Sequence, residues 1–170
     1  MEVSVAHLGV GAVIYPTAKI IRPESLEIGD HSTIDDFVFL NAGRSTRIGR
    51  YVHIAAHVSI IGGGDLVVRD YAVIATGARV LTATDTFTDG ARMSTHLPAE
   101  FRAVRTSPVV LERDSFIGAN AVVMPGVVVG EGAVAGAGSV VTRDLEPWTV
   151  YVGTPARAVS SRPRPSQPGP

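Results

Sequence analysis

Residues 117–144 read IGANAVVMPGVVVGEGAVAGAGSVVTRD and contain the pattern that decides the fold. An aliphatic residue returns every six positions, at Ile117, Val123, Val129 and onward to Val141. A helix with 3.6 residues per turn would spread these positions around its circumference, whereas a short strand followed by a turn keeps them on one side. The stretch therefore predicts stacked hexapeptide units, each made of one short strand and one turn.

The same repeat continues toward the N-terminus, where two additional residues follow every third hexad. Coils there have 20 residues, and coils after residue 108 have 18. Three hexads per coil predict an all-β parallel β-helix of about six triangular coils, with each strand paired to the coils above and below. The repeating aliphatic positions are Leu8, Ile14, Ile20, Ile28, Ile34, Leu40, Ile48, Ile54, Ile60, Val68, Ile74, Val80, Leu111, Ile117, Val123, Val129, Ala135 and Val141.

A second inward position lies four residues after each aliphatic one and is usually small, as at Ala12 and Ser32. Small side chains suit the tapering corners of a triangular prism. Glu24, Arg44 and Gly64 break this pattern, and all three lie where the two-residue insertions occur.

Two segments depart from the repeat. Residues 82–108 lack the hexad and are predicted to form one long inserted loop, and such loops in compact solenoids are usually functional. Residues 160–170, SSRPRPSQPGP, are rich in Pro, Ser and Arg and are predicted to be a disordered tail. We therefore expect one β-helix domain over residues 1–159, closed by a short C-terminal cap that contains Trp148.

Composition excludes several function classes. The 15 Lys and Arg residues nearly balance the 16 Asp and Glu residues, so the chain offers no general field for nucleic acid or an anionic membrane. The absence of Cys removes disulfides, thiolate metal sites and cysteine nucleophiles. Neither a secretory signal nor an apolar run of about 20 residues is visible, so we expect a cytoplasmic location.

The stretch at Ile117 to Asp144 and the closing YVGTPARAV at Tyr151 to Val159 resemble the hexapeptide-repeat acyltransferases. The long loop begins with TATD, and the repeat resumes after it with PVVL. Both segments resemble the corresponding segments of the sugar O- and N-acetyltransferase branch of this family. This resemblance implies a left-handed β-helix, a homotrimer, and transfer of an acyl group, acetyl first of all, from CoA. The implied acceptor is a hydroxyl or amine of a sugar, nucleotide sugar or sugar-bearing natural product, and no metal is expected.

The resemblance also implies where acetyl-CoA binds. In this family the cosubstrate lies in the cleft between two subunits, which assigns the backbone of Ala119 and Ala137 to the pantetheine arm. Thr142, Arg143 and Arg157 correspond to residues near the nucleotide end. Small residues let an extended arm approach the backbone, and guanidinium groups suit phosphates.

The catalytic position departs from the family pattern. Acyl transfer needs a base that titrates near neutral pH and a donor for the developing oxyanion. Family members place a His at the start of the long loop, where this sequence has Asp85. We expect Asp85 to orient a His, to bind a sugar hydroxyl or to hold an amine, with His57, His96 and His53, in that order, as the candidate bases. O-acylation and N-acylation both stay open.

Two other classes remain as alternatives. γ-class carbonic anhydrases share the prism and bind zinc through three His at trimer interfaces, but His53 and His57 are one residue too close for that class. A non-catalytic scaffold is the other alternative, because a stacked solenoid is stable without a ligand.

Outward residues give two further expectations. Apolar Phe37, Phe39 and Val73 favour burial between subunits, which agrees with a homotrimer. By the 20-residue period, three outward rings fall at the same position of successive coils and predict a surface ladder. These rings belong to His31, Tyr51 and Tyr71.

Overall fold

The computed structural model describes residues 4–88, 90–167 and 169, which form a parallel β-helix around one apolar core. The expected domain 1–159, loop 82–108 and tail 160–170 extend over residues 1–3, 89, 168 and 170, which lie outside the described residues. Within the described chain, no helix has the length and apolar character needed to cross a membrane.

Three sheets form the sides of the prism, and each takes one strand per coil. The first sheet contains His7–Leu8 (β1), Leu26–Ile28 (β4), Thr46–Ile48 (β7), Leu66–Val68 (β10), Val109–Leu111 (β15) and Val128–Val129 (β18). The second contains Val13–Ile14 (β2), Thr33–Ile34 (β5), His53–Ile54 (β8), Val73–Ile74 (β11), Phe116–Ile117 (β16), Val134–Ala135 (β19), Thr149–Val152 (β21) and Arg157–Ser161 (β22). The third contains Lys19–Ile21 (β3), Phe39–Asn41 (β6), Ser59–Ile61 (β9), Arg79–Leu81 (β12), Val122–Val123 (β17) and Val140–Val141 (β20).

A short hairpin and two 3-10 helices lie outside these sheets in the described residues. Ala83–Asp85 (β13) and Val104–Thr106 (β14) form an antiparallel hairpin at the base of the long loop. The 3-10 helices are Pro23–Ser25, in the first coil, and Ala99–Phe101, in the loop.

The β-helix has about seven turns, one more than the hexad count. Among the described residues the second sheet has eight strands, and all but β22 are parallel. In the last turn Val150 pairs with Val134, and Leu145 pairs with Val129 beside the first sheet. Leu145 is buried. The segment predicted as a cap therefore begins as an incomplete further coil.

The two-residue insertions move the inward position rather than breaking the core. Glu24 and Arg44 are exposed, and the buried side chains lie two residues later, at Leu26 and Thr46. In the next coil the buried Leu66 likewise lies two residues after Gly64. The buried hydroxyl of Thr46 donates a hydrogen bond to a backbone carbonyl oxygen 2.9 Å away. The apparent exceptions at Glu24, Arg44 and Gly64 thus arise because each two-residue insertion moves the inward-facing position two residues along the chain.

The predicted ladder of rings is confirmed at the corner between the first and second sheets. His31 and Tyr51 stack with their ring centroids 5.0 Å apart, and Tyr51 and Tyr71 stack at 5.4 Å. All three residues have positive φ, which is uncommon outside glycine and directs these side chains outward at a tight corner. The guanidinium of Arg113 extends the ladder, because its carbon lies 4.8 Å from the centroid of the Tyr71 ring.

An aspartate carboxylate joins two coils at the same corner. Asp70 Oδ1 accepts a hydrogen bond from the backbone N–H of Arg50 at 2.8 Å, and Asp70 Oδ2 lies 3.1 Å from the Arg50 guanidinium. A Cβ at Gly49 would overlap Asp70 Oδ1 and lie 2.7 Å from the backbone N of Asp70, so this position requires glycine. Burial acts to raise the pKa of Asp70, but the hydrogen bonds from Arg50, with the charges of Arg50 and Arg113, hold the pKa below its usual value.

The C-terminal segment continues past the expected boundary at residue 160. Strand β22 includes Ser160 and Ser161 and pairs antiparallel with β21. Arg162 then donates hydrogen bonds from Nη1 to the carbonyl oxygens of Asp114 and Gly132, at 2.6 and 3.0 Å. Its guanidinium lies 5.8 Å from the Trp148 ring centroid, so the start of the tail packs on the last turns.

Replacing Asp70 by Asn is expected to destabilise the protein in a pH-dependent way. The folded pKa of Asp70 lies below its unfolded value, so the carboxylate stabilises the fold above the unfolded pKa, about 3.9. That contribution is lost as the pH falls through the folded pKa. Urea unfolding of wild type and Asp70→Asn at fixed protein concentration should therefore show a difference near neutral pH that shrinks below about pH 4. A constant difference across this range would contradict the role given to the carboxylate.

Candidate functional site

The corner between the second and third sheets contains three of the predicted site positions. This second corner consists of residues 35–38, 55–58, 75–78, 118–121 and 136–139. Backbone hydrogen bonds link its coils, for example from Gly77 N to Ala56 O at 3.1 Å and from Gly138 N to Ala119 O at 2.8 Å. Ala119 and Ala137 therefore lie in one row along the axis of the prism, and His57 lies in the adjacent row, one residue further along the chain.

The N-terminal half of the second corner is aromatic and acidic. The ring of His57 stacks on that of Phe37, with centroids 5.1 Å apart and an interplanar angle of 9°. His53, on β8 just before the corner, has Nε2 2.9 Å from Asp35 Oδ2. The structure thus gives the carboxylate partner to His53 rather than to His57, and an imidazole held by a carboxylate is the arrangement of an oriented base.

The C-terminal half of the same corner has small side chains and an open surface. Gly77, Asn120 and Gly138 take the place of the rings of the earlier coils, and Ala119 and Ala137 lie beside them in the adjacent row. A Cβ placed on Gly138 would meet no atom within 4 Å. An extended chain of the thickness of a pantetheine arm can therefore approach the backbone here.

The remaining predicted CoA residues surround the last strand of the third sheet. Thr142 and Arg143 directly follow β20 and are exposed. Arg157 follows Ala156, whose backbone N–H donates to the carbonyl oxygen of Val140 at 2.8 Å. Thr142 and Arg143 therefore lie beyond the edge of the third sheet that is opposite the second corner. Arg157 lies at the C-terminal end of the prism, next to the start of β20.

Asp85 lies at the base of the long loop, on the hairpin strand β13. It is opposite Val104 on β14, and its Oδ1 accepts a hydrogen bond from Arg102 Nη2 at 2.8 Å. Both side chains are largely buried, with 28% of Asp85 and 18% of Arg102 exposed. Arg102 Nε is buried and has no hydrogen-bond partner among the described residues, a condition that typically costs about 1–3 kcal/mol.

Sequence reasoning gave Arg102 no such role. The two partners are separated by 17 residues in a segment without a repeat, so no spacing rule connects them. His96, the other predicted loop residue, is exposed, and its backbone N–H donates to Ser94 Oγ at 3.4 Å.

Asp85 and the second corner lie at opposite edges of the third sheet in one chain. Strand β12 separates them, and residues 78–82 span roughly 13 Å at about 3.3 Å per residue. The structure therefore brings together His57, Ala119 and Ala137 along one corner, and Asp85 with Arg102 at another, but it does not join the two groups within a single chain.

Surface clefts only partly coincide with these groups. A cleft of about 250 Å³ borders the aromatic half of the second corner and is lined by Tyr15, Asp35, Asp36 and Ala56. A larger cleft of about 610 Å³ lies under Trp148, and its walls include residues of the C-terminal tail. Because the tail forms its walls, we assign the larger cleft to the cap and not to the predicted chemistry. Among residues 4–88, 90–167 and 169, no group of three or more His, Asp or Glu side chains is arranged to hold a metal ion.

Comparison with known proteins identifies the family. The model of the hexapeptide repeat of succinyl-transferase matches residues 108–143. The dTDP-4-amino-4,6-dideoxy-D-glucose acyltransferase of Escherichia coli is 32% identical over 162 residues, which cover 95% of this chain and 84% of that protein. The chain belongs to the hexapeptide-repeat acyltransferases. The predictions of family and of an acyl-CoA-dependent enzyme are therefore confirmed.

Solved structures of other hexapeptide-repeat acyltransferases agree with the fold. AntD, an N-acyltransferase from Bacillus cereus in complex with dTDP and 3-hydroxybutyryl-CoA, is 35% identical with a TM-score of 0.89, covering 94% of this chain and 85% of that one. The acetyltransferase VCA0836 from Vibrio cholerae, complexed with acetyl-CoA, is 26% identical with a TM-score of 0.66, covering 94% and 73%. The predicted left-handed parallel β-helix is thus confirmed, and CoA thioesters are the acyl donors of this acyltransferase. The carbonic anhydrase and scaffold alternatives lose their support.

Proposed function

We propose that this acyltransferase transfers an acyl group from acyl-CoA to the amino group of a nucleotide-linked amino sugar. The observation that carries this proposal is similarity over the whole chain, and not only over the repeat, to the Escherichia coli dTDP-4-amino-4,6-dideoxy-D-glucose acyltransferase. A point mutant of AntD has also been solved in complex with dTDP-4-amino-4,6-dideoxyglucose and Coenzyme A. By contrast, a tetrahydropyridine-dicarboxylate N-acetyltransferase of Staphylococcus aureus matches only 31% of this chain.

The donor site we propose follows the C-terminal coils. The backbone at Ala119 and Ala137 lines the pantetheine arm, because the corner there is small and open beside Gly138. The exposed guanidinium groups of Arg143 and Arg157, with the hydroxyl of Thr142 near them, bind phosphates at the nucleotide end. Bound acyl-CoA supplies an activated thioester to the acceptor.

The reaction itself needs a positioned amine and a place for one proton. The neutral amine nitrogen forms the new C–N bond with the thioester carbonyl carbon, the C–S bond breaks, and one amine proton ends on the released thiol. Asp85, with Oδ1 bound to Arg102, is suited to accept a hydrogen bond from the amine and to orient it. Of the three imidazoles, His53 has the carboxylate partner expected of a proton acceptor, whereas His57 stacks on Phe37 and His96 lies in the loop.

We also propose that the enzyme is a homotrimer in which the loop of one protomer faces the second corner of the next. In one chain the two groups of candidate residues are separated by strand β12, whose residues 78–82 span roughly 13 Å, and a neighbour supplies the missing half. Exposed apolar rings support this arrangement, because 59% of Phe37 and 39% of Phe39 are accessible in the single chain. A cytoplasmic location is proposed with it, since acyl-CoA is made and used there.

The function is tested by incubating the protein with acetyl-CoA or 3-hydroxybutyryl-CoA and dTDP-4-amino-4,6-dideoxyglucose. We expect release of free thiol together with an N-acyl sugar nucleotide, identified by its mass. The analogue with a hydroxyl in place of the amine should react at least about 100-fold more slowly, because a neutral hydroxyl is a weaker nucleophile than a neutral amine and depends on a general base, which typically contributes about 10²- to 10⁴-fold. Faster acylation of the hydroxyl analogue, or no product from either, would contradict the proposal.

A matched pair of arginine variants controls for the donor site. Calorimetric titration with acetyl-CoA should show binding about tenfold weaker, or about 1.4 kcal/mol, in the Arg143→Ala, Arg157→Ala double variant. Arg22→Ala removes another exposed arginine, at the opposite end of the prism, and should leave the affinity unchanged. Equal weakening by both changes would mean that only the overall charge matters.

Sedimentation equilibrium tests the oligomeric state. We expect the mass of three chains at micromolar concentration, because closure of the site requires a neighbour. Phe37→Glu places a charge on the proposed interface and should shift the protein toward the monomer with loss of acyl transfer. A monomeric wild-type enzyme with full activity would contradict the shared site.

A further inference from the structure

We propose that Arg102 is a positioning residue, which fixes the carboxylate of Asp85 so that one oxygen is presented to the amine of the acyl acceptor. The inference rests on the proposed function, since Asp85 has an amine to hold only if a sugar amine is acylated. Arg102 itself is assigned no contact with the reacting atoms.

The contact between the two side chains uses one oxygen of Asp85 and leaves the other open. Arg102 Nη2 donates to Asp85 Oδ1 at 2.8 Å. Asp85 Oδ2 makes no hydrogen bond to any residue in the part of the chain that the structure describes. A carboxylate held at one oxygen is therefore fixed in orientation while its second oxygen can accept a hydrogen bond from a ligand.

Burial distinguishes Arg102 from the other arginines that form ion pairs. Among the described residues, Arg102 is 18% exposed, whereas the paired arginines elsewhere are 51–66% exposed. Exposed pairs of that kind contribute little and sample several geometries. A largely buried guanidinium next to a largely buried carboxylate has less freedom to change its geometry, which is the property needed to orient a reacting group.

The backbone of the loop holds Arg102 from both sides. Arg102 follows the 3-10 helix Ala99–Phe101, and its N–H donates to the carbonyl oxygen of the first helix residue at 3.1 Å. Arg92 N donates to the last helix residue at 3.0 Å, and Thr86 N donates to Ala103 O at 2.7 Å. The loop thus ties the segment around Arg102 to the residue that follows Asp85. The guanidinium is placed by the backbone as well as by its partner.

The unpartnered Nε supports the same conclusion. A buried donor without an acceptor costs free energy, and exposing the side chain to water would remove that cost. The loop nevertheless keeps Nε buried, and Nη2 donates to Asp85. Its contact with Asp85 is therefore the specific interaction that this placement provides.

The test compares Arg102→Met, Arg102→Lys and Asp85→Asn with a control on the same hairpin. Arg105→Met is the control, because Arg105 is exposed and lies opposite Thr84, on the other face of the hairpin from Asp85. For each protein we would measure kcat and KM for acetyl-CoA and for dTDP-4-amino-4,6-dideoxyglucose. Calorimetry would add the affinities for that amino sugar nucleotide and for dTDP, which lacks the amine.

We expect Arg102→Met to lower kcat/KM for the amino sugar about tenfold or more, with KM for acetyl-CoA and affinity for dTDP unchanged. Arg102→Lys should recover part of the loss. The Asp85→Asn, Arg102→Met double variant should lose no more than Asp85→Asn alone, because Arg102 acts only through the carboxylate. Arg105→Met should behave as wild type.

Three results would overturn the inference in distinguishable ways. Wild-type kinetics in Arg102→Met, or additive losses in the double variant, would remove the positioning role and leave the proposed function intact. Equal losses for both substrates and for dTDP binding, with a lower melting temperature, would make Arg102 purely structural. A wild-type enzyme that binds acetyl-CoA but neither binds nor acylates the amino sugar would remove the proposed function and the inference together.

Discussion

Parallel hydrogen bonding between successive coils is the constraint on which the rest of this structure depends. Each short strand pairs only with the coils directly above and below it, so the chain must return to the same position once per coil. That return requires a side chain that fits the core every six residues and a tight corner after every strand. Corner residues such as Tyr51 and His57 therefore adopt positive φ and direct their rings outward. The core and the surface ladders are two results of one periodicity.

The same constraint decides where a site can exist. The interior of the prism is filled by aliphatic side chains such as Ile54 and Leu111, so ligands must bind outside, on corners and faces. The side chain at a corner can differ from one coil to the next while the strands on either side stay paired. On the second corner, for example, His57 in one coil is followed by Gly77 in the next. The long loop adds groups that a hexad cannot provide, and it inserts where the chain already turns. We therefore propose that the donor binds along the repeat and the acceptor at the loop.

Periodicity also sets what could be predicted from the sequence. The ladder of His31 and Tyr51 follows from a fixed period and needs no knowledge of energies. The last turn was missed because Leu145 and Tyr151 fill the core without keeping the hexad. In the sequence the shift at Thr46 appears only as a break in the pattern of small inward residues at Arg44. Counting positions does not show whether Arg44 or Thr46 points into the core. The pair of Asp85 with Arg102 has no period at all, because an irregular loop brings together residues 17 apart.

The physical character of that pair explains why geometry, rather than stability, is its contribution. Removing both charges from water costs free energy that one hydrogen bond at 2.8 Å only partly returns, and the unpaired Nε adds to the cost. The exposed pairs on the first sheet, such as Arg47 with Glu27, carry no such penalty and could serve stability equally well. The loop nevertheless buries the Asp85–Arg102 pair, and the result is an Asp85 carboxylate held in a fixed direction. Fixed direction matters most where a nitrogen must meet a carbonyl carbon along one line of approach.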